Sequence, residues 1–449
     1  MNRINWYIIS FTLTILILTL LQSIDSSYIS SLQNSPSFNT RKTMYVGEDG
    51  EFTNITRAIA AANDGDIIKI SSGTYFENLL INKSLILDGE GESTRIIGER
   101  NKTTILLNGR CTIRGLNITG LRPGWGDIGI EVLNTCIIED CYVDQHQYGI
   151  NFPWTYNTII RNCSIKSNSR AGIHFAGANW NVISNCSFYN NTQGVSMFWN
   201  CQENIIENCI FISNTLNGVH LSDYGNIIRN CSFISNNLGI KLSNGEYNSI
   251  YNNSLINNTS WGVSCPGSHN LIYHNNFINN NQGNIQALDN GSFNNWNSTL
   301  LGNYWSDWIA PDDNNDGIVD KPYLISGTAD SKDYYPITTK GFIDTDKDGF
   351  IDPIERFYKK DPTDQNSYPP DIDRDKIPDD VDQDRDGDGH PNNEDYYPDD
   401  PDRWEKEEDK EKDSTWLFIT IIVIILIVIG IIGFILYRKR SIHNPPGHT

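Results

Sequence analysis

Apolar and polar positions between residues 128 and 280 alternate in two short phrases that return along the chain. The first reads CIIEDCYV, TIIRNCSI, NVISNCSF, NIIENCIF, NIIRNCSF, NSIYNNSL and NLIYHNNF, starting at Cys136, Thr158, Asn181, Asn204, Asn226, Asn248 and Asn270, at intervals of 22 or 23 residues. The second is a glycine followed by alternating apolar residues: GIEV, GINF, GIHF, GVSM, GVHL, GIKL and GVSC, starting at Gly129, Gly149, Gly172, Gly194, Gly218, Gly239 and Gly262. Alternation with period two predicts short strands, and no 3.6-residue period competes with it. A fixed interval of this length predicts a repeat fold.

The first phrase carries a change of parity. Ile206, Cys209 and Phe211 are all apolar, yet an odd step separates the first from the other two. Side chains alternate faces along a strand, so all three point inward only if the chain bends between them. Asn208 stands at the bend, and asparagine tolerates the left-handed conformation of such a corner; Asn162, Asn185, Asn230 and Asn252 repeat it. The expected fold is therefore all-β, a right-handed single-stranded parallel β-helix with coils of 22–23 residues. Its inward rows are Ile160–Ile183–Ile206–Ile228–Ile250–Ile272 and Ile165–Phe188–Phe211–Phe233–Leu255–Phe277, with Cys141, Cys163, Cys186, Cys209 and Cys231 as a third. A β-sandwich would need hairpin turns and would not hold the interval. The cysteines read as small apolar fillers. Stacked side chains point in parallel and the total of nine is odd, which favours free thiols over disulfides. Near the start, the alanine-rich stretch from Thr56 predicts a short helix capped by Thr53 or Asn54 and covering the first coil.

Charge changes the picture at the other end. Of the net −21, residues 342–414 hold 27 Asp and Glu against 11 Lys and Arg. Such a block is a solvated stalk or a cation-binding module, and it argues against nucleic acid as a partner. DTDKDGFIDPIE (Asp344 to Glu355) matches the EF-hand calcium loop: oxygen ligands from Asp344, Asp346, Asp348 and Glu355, Asp352 at the often water-mediated position, and Gly349 at the sharp turn. DRDGDGHPNNED supplies Asp384, Asp386, Asp388 and Asp395 with Gly389. DIDRDKIPDDVD offers Asp371, Asp373 and Asp375 but has Lys376 where glycine belongs. Asp312, Asn314 and Asp316 form a truncated loop. Calcium is the expected cofactor. The run resembles thrombospondin type 3 and related exported calcium repeats, which implies a structural role for the ion.

An apolar run lies near each terminus. Residues 1–27 read as a secretory signal, the alternative being an uncleaved anchor. Trp416 to Tyr437 is long enough for one transmembrane helix, and Arg438, Lys439 and Arg440 follow it at once. The positive-inside rule then places the body outside the cell membrane and the C-terminus inside. The expected organisation is signal 1–27, linker 28–43, β-helix 44–300, its C-terminal cap 301–340, calcium repeats 341–403, charged stalk 404–415, membrane span 416–437 and cytoplasmic tail 438–449.

The opening phrase AIAAANDGDIIKISSGTYFENLLINKSLILDGEG (Ala58 to Gly91) and the closing phrase GNYWSDW…PDDNNDGIVDKPYLISG…DYYPI (Gly302 to Ile337) resemble the NosD-like branch of the carbohydrate-binding and sugar-hydrolase (CASH) β-helix proteins. The resemblance covers roughly 44–338 and implies an exported protein. The member that names the family assists copper-site assembly in nitrous oxide reductase. Copper is not carried over, because three methionines and eight scattered histidines supply no cluster of soft ligands.

Outward positions of the second phrase read Glu131, Asn151, His174, Ser196, His220, Lys241 and Ser264 up successive coils. A polar ladder on a flat parallel sheet, with Trp154, Trp180, Phe198 and Trp199 at the adjoining corner, forms either a glycan platform or corner packing. His174, His220 and Glu131 are the only catalytic candidates, and they make neither the paired carboxyls of glycoside hydrolysis nor a nucleophile motif. The expectation is a membrane-anchored surface protein presenting a face for carbohydrate or another surface component. Polysaccharide lysis or hydrolysis is the second reading and copper delivery the third.

Overall fold

The repeated phrases fold as parallel strands, and each coil carries three of them. In one coil Ile205–Glu207 belongs to a first sheet, Ile210–Ile212 to a second and Asn217–Leu221 to a third. The computed structural model describes residues 41–121, 126–314, 316–338, 345–350, 355, 358–374, 378–379, 382 and 384–404. The expected signal, the linker up to residue 40, the stalk beyond Trp404, the membrane span and the tail lie outside the described residues. Among the described residues no helix is long and apolar enough to cross a membrane. The chain divides at Glu246 into two units.

In the first unit the described strands pair in parallel, each with its counterpart one coil away. Ile160, Ile183, Ile206 and Ile228 stand in register in the first sheet. Ile165, Phe188, Phe211 and Phe233 do so in the second. The phenyl rings stack at 4.6 and 4.7 Å between centroids, nearly parallel, and are fully buried. The corner between these sheets is the expected one: Asn162, Asn185, Asn208 and Asn230 have φ between 53° and 55°. Cys141, Cys163, Cys186, Cys209 and Cys231 are buried beside it, and all nine cysteines are free thiols.

Asparagine has a second, interior use that the alternation did not reveal. The Oδ1 of Asn204 accepts both the backbone N–H (2.9 Å) and the side-chain amide (3.0 Å) of Asn181 one coil before. The Oδ1 of Asn226 does the same for Asn204. Asn168, Asn191, Asn214 and Asn236 form a parallel ladder at the next turn. These turns carry backbone groups that no strand partners, and a buried amide satisfies them.

The first coil is closed by a helix, Ile55–Ala61, whose N-terminal amide is capped by Asn54. Glu77 accepts from the N–H groups of Ile55 and Thr56 at 2.8 Å each. Lys83 donates to the carbonyls of Ile59, Ala60 and Ala62 at the other end. Opposite charges thus sit at the two ends in the sense the helix dipole favours.

The second unit repeats the coil: Ile250 registers with Ile272 and Leu255 with Phe277. Its stack ends in aromatics, with Phe277 on Trp305 at 4.1 Å and Trp305 on Tyr323 at 3.9 Å. The closing phrase is held by two buried carboxylates. Asp289 accepts from Trp296 Nε1 (2.8 Å) and Ser331 Oγ (2.8 Å), and Asp333 from Trp305 Nε1 (2.9 Å) and the Asn303 N–H (2.6 Å).

Candidate functional site

The third sheet of the first unit brings the expected polar ladder together. Glu131, Asn151, His174, Ser196, His220 and Lys241 are successive register partners. Within it lies a groove of about 360 Å³ lined by Tyr148, Arg170, His174, Gln193, Ser196, Phe198 and Trp199. Its origin is local. On the coil of His174 the flanking outward positions are Ala171 and Ala176, which register with Tyr148 and Pro153 before and with Gln193 and Phe198 after. Small residues between large ones leave a hollow floored by Ser196, which is only 1% exposed although it faces outward.

The groove is aromatic and hydrogen-bonding at once. Tyr148 stacks on His174 at 4.7 Å and 23°, and Phe198 meets His220 edge-on at 4.7 Å. His174 Nδ1 lies 2.9 Å from Ser196 Oγ, and His220 Nε2 lies 2.6 Å from Ser243 Oγ. Burial, and then the Arg170 charge, push the His174 pKa down to about 4; burial and then Lys241 do the same for His220. Both imidazoles are therefore neutral at physiological pH, and both are drawn into the face rather than standing in solvent. Glu131 is engaged by Thr103 Oγ1 at 3.2 Å and Asn151 Nδ2 at 3.4 Å. The lining residues include no carboxylate.

The three tryptophans divide. Trp199 lines the groove and is 70% exposed. Trp154 folds over Gly177, where a Cβ would come within 2.3 Å of the indole. Trp180 donates from Nε1 to Glu203 at 2.6 Å and tilts against Tyr156, on a different turn from the other two. All three stand at left-handed corners, with φ of 57°, 56° and 64° for Trp154, Trp180 and Trp199. The alternation after each glycine did not point to Tyr148, Arg170 and Gln193, which precede that glycine. At Gly149, Gly172 and Gly194 a Cβ would meet the next coil's backbone oxygen at 2.5–2.7 Å, so the inward parity skips there. The recurrent residue before the glycine was the available signal for Tyr148 and Gln193, while at Gly172 that place is taken by Ala171 and Arg170 lies one residue further back.

A second hollow, of about 440 Å³, lies on the first sheet between Asp88, Arg114, Glu139 and Asp140. Its charges are already paired: Arg114 donates to both oxygens of Asp88 at 2.9 Å, and Arg161 Nε to Glu139 at 2.8 Å.

In the acidic segment, which belongs to the second unit, two expected loops gather their ligands. Asp346, Asp348 and Glu355 converge, as do Asp384, Asp386 and Asp388, each group with oxygens within 4.8 Å of one another. Asp384 Oδ1 and one Oδ2 each of Asp386, Asp388 and Asp395 are buried without a hydrogen-bond donor. Buried carboxylate oxygens without donors, aimed together, fit a hard cation with oxygen ligands. Asp344, Asp352 and Asp375 lie outside the described residues, so of the third loop's three expected ligands Asp371 and Asp373 are described. In the truncated loop Asp312 and Asp316 turn to their own backbone, accepting from the N–H groups of Asp316, Gly317 and Ile318, and form no convergent group among the described residues.

Residues 126–309 match the family described as "Periplasmic copper-binding protein (NosD)". A stretch of 127 residues is 34% identical to a cell surface glycoprotein of Methanothermus fervidus, covering 27% of this chain and 19% of the relative. The chain thus spans about a fifth of that relative's length. Solved structures with a similar course include ORF18 of Geobacillus virus E2 (17% identity, TM-score 0.41, 55% of this chain and 54% of the other). Another is the A-module of the mannuronan C-5 epimerase AlgE4 of Azotobacter vinelandii (18%, 0.46, 56% and 81%). Residues 126–309 are thus similar to the NosD family, and the parallel coils give the region the β-helix course expected of such a protein.

Proposed function

We propose that the chain is an exported surface protein that binds saccharide in the groove of its third sheet and carries acidic loops made compact by calcium. The carrying observation is the groove itself, where the rings of Tyr148 and Trp199 stand beside Gln193, Ser196 and His174 in a hollow of sugar-ring size. Aromatic faces cover the apolar side of a sugar ring, and a few convergent polar groups fix its hydroxyls. The family match and the surface-glycoprotein relative support export, and the apolar run Trp416 to Tyr437 supports a membrane anchor with the C-terminus inside. The four donor-less oxygens of the second acidic loop support calcium, held by Asp384, Asp386, Asp388 and Asp395; the ion would supply charge neutralisation that keeps like charges from repelling.

The test is a glycan array probed with the wild-type chain and with Trp199→Ala and Phe198→Ala. Binding that both variants weaken, with no product released on prolonged incubation, is the expected result. Release of shortened or unsaturated products overturns the binding reading in favour of an enzyme. Wild-type binding that neither variant changes moves the site elsewhere.

A further inference from the structure

The charge around the groove says more than its shape. The whole chain carries −21, yet the groove lining holds a guanidinium and no carboxylate. Arg170 is exposed at the groove's edge, its Cζ 5.4 Å from the centre of the Tyr148 ring. Lys241 stands at the other end of the ladder, next in register to His220. Among the described residues neither cation has a carboxylate within ion-pair distance, whereas Arg114, Arg161 and Arg229 on the first sheet all do. The nearby acids are otherwise engaged. Glu131 sits two coils below His174 and is held by Thr103 and Asn151, Asp223 accepts from the Asn200 N–H at 2.7 Å, and Glu203 from Trp180.

An acidic protein that leaves two cations unneutralised on one face, around an aromatic hollow, is complementary to an anion that carries a ring. From this, and resting on the saccharide reading above, we infer that the groove selects acidic saccharides of the uronate class: Arg170 grips the sugar carboxylate, Tyr148 and Trp199 cover the ring, and Lys241 meets a further carboxylate along the chain. Arginine's planar fork suits a carboxylate, which it binds through two parallel N–H donors. The ladder is also long enough for more than one sugar. From His174 to Lys241 is three coils, ~14 Å at ~4.8 Å per coil. The neutral His174, bonded through Nδ1 to Ser196, adds its other ring nitrogen for a hydroxyl without competing for the carboxylate, whereas both ring nitrogens of His220 are bonded within the sheet, to Gln193 and Ser243.

Titration calorimetry of the full chain in detergent against galacturonate, mannuronate and glucuronate tetrasaccharides, their methyl esters, and a sulfated neutral tetrasaccharide tests the inference. At least one uronate is expected to bind about tenfold or more tighter than its ester, the factor a charge-assisted hydrogen bond supplies. Arg170→Gln is expected to bring acid and ester to within about twofold of each other while leaving the melting temperature unchanged, because the residue is exposed at the groove's edge. Raising salt from 0.05 to 0.5 M is expected to weaken the uronate but not the ester. Equal affinity for acid and ester, or an Arg170→Gln variant that keeps the preference, overturns the inference and leaves the saccharide reading standing. Binding of the sulfated sugar alone overturns the uronate class. Failure of every sugar overturns both readings.

Discussion

Two asparagines four residues apart in one coil offer a sharp test of how the fold is held. Asn204 is 1% exposed and lies in the interior amide ladder; Asn208 is exposed at the left-handed corner, φ 54°. Replacing Asn204 by alanine removes the acceptor of the Asn181 backbone N–H (2.9 Å) and the donor to the Ala178 carbonyl (2.9 Å). Two buried backbone groups are then orphaned at ~1–3 kcal/mol each, so the loss is about 2–6 kcal/mol. Two side-chain bonds go too, but the Asn181 amide keeps the Thr155 carbonyl and Asn226 Oδ1 keeps the backbone N–H of residue 204. Replacing Asn208 by alanine strands no buried partner and costs only the poorer fit of alanine to a left-handed corner, ~1 kcal/mol. Urea unfolding followed by circular dichroism, with hydrogen exchange at the Asn181 amide, measures both. A solenoid need not unfold in one step, so midpoints under identical conditions are the quantity to compare. An Asn208→Ala variant as destabilised as Asn204→Ala, or an Asn204→Ala loss under about 1 kcal/mol, would refute the interior-ladder account.

Terbium in place of calcium reports on the second acidic loop, because Trp404 stacks on His390 within it at 4.9 Å. Tryptophan-sensitised emission is expected in the wild type and is expected to vanish in Asp386→Asn/Asp388→Asn; emission unchanged in the variant removes the site. His146 is fully buried, and desolvation pushes its pKa down to about 4, below the ordinary ~6.5. The folded state thus binds fewer protons than the unfolded one between those values, so this contribution is complete above about pH 6.5 and is lost as pH falls toward 4. Thermal melts of wild type and His146→Gln should diverge over that window by up to ~3 kcal/mol, and superimposable pH profiles would dismiss the effect. Gly194→Ala places a Cβ 2.5 Å from the Gly218 carbonyl oxygen and 2.6 Å from Phe211 Cδ1. A loss of ~1–3 kcal/mol is expected, and an unchanged melting midpoint would show that the coils separate freely there.

The sequence made the inward rows legible because they are repetitive: Ile183, Ile206 and Ile228 recur at one interval, and so does the corner asparagine. The ladder on the third sheet was equally readable, since parity after the glycine counts reliably. Three features were not. The leading asparagine of NIIENCIF marked only a phrase start, because a polar residue there reads as a turn until its amide is found buried. Tyr148 and Gln193 were hidden by the parity skip at glycine, which turns the preceding residue outward where alternation puts it inward, and Arg170 lies one residue further back, in the bend that neither phrase covers. The grouping of the tryptophans was hidden as well, because Trp180 belongs to a later turn than Trp154 and Trp199, and sequence proximity does not distinguish adjacent corners of one coil.

The outward rows differ in a way that bears on where a ligand goes. On the first sheet Lys69, Asp88, Arg114, Glu139 and Arg161 follow one another in register, and each opposite-charge neighbour is an ion pair. A row that alternates in sign at one coil per step neutralises itself, and a charged ligand arriving there must compete with bonds already made. The Asp88 carboxyl shows the consequence: its hydrogen bond to Arg114 holds it below the usual carboxylate range. The third sheet has the reverse arrangement, with neutral Asn151, His174, Ser196 and His220 filling the positions between Glu131 and Lys241. Neutral side chains and positive charge without an ion-pair partner therefore coincide on this face. The same geometric rule that piles isoleucine on isoleucine inside makes each outer face a row whose chemistry can be set one coil at a time. Exchanging Glu139 for glutamine should open the first sheet's row, freeing Arg161 while Arg114 stays bonded to Asp88, and a uronate that then bound there would show that pairing, rather than shape, had excluded it.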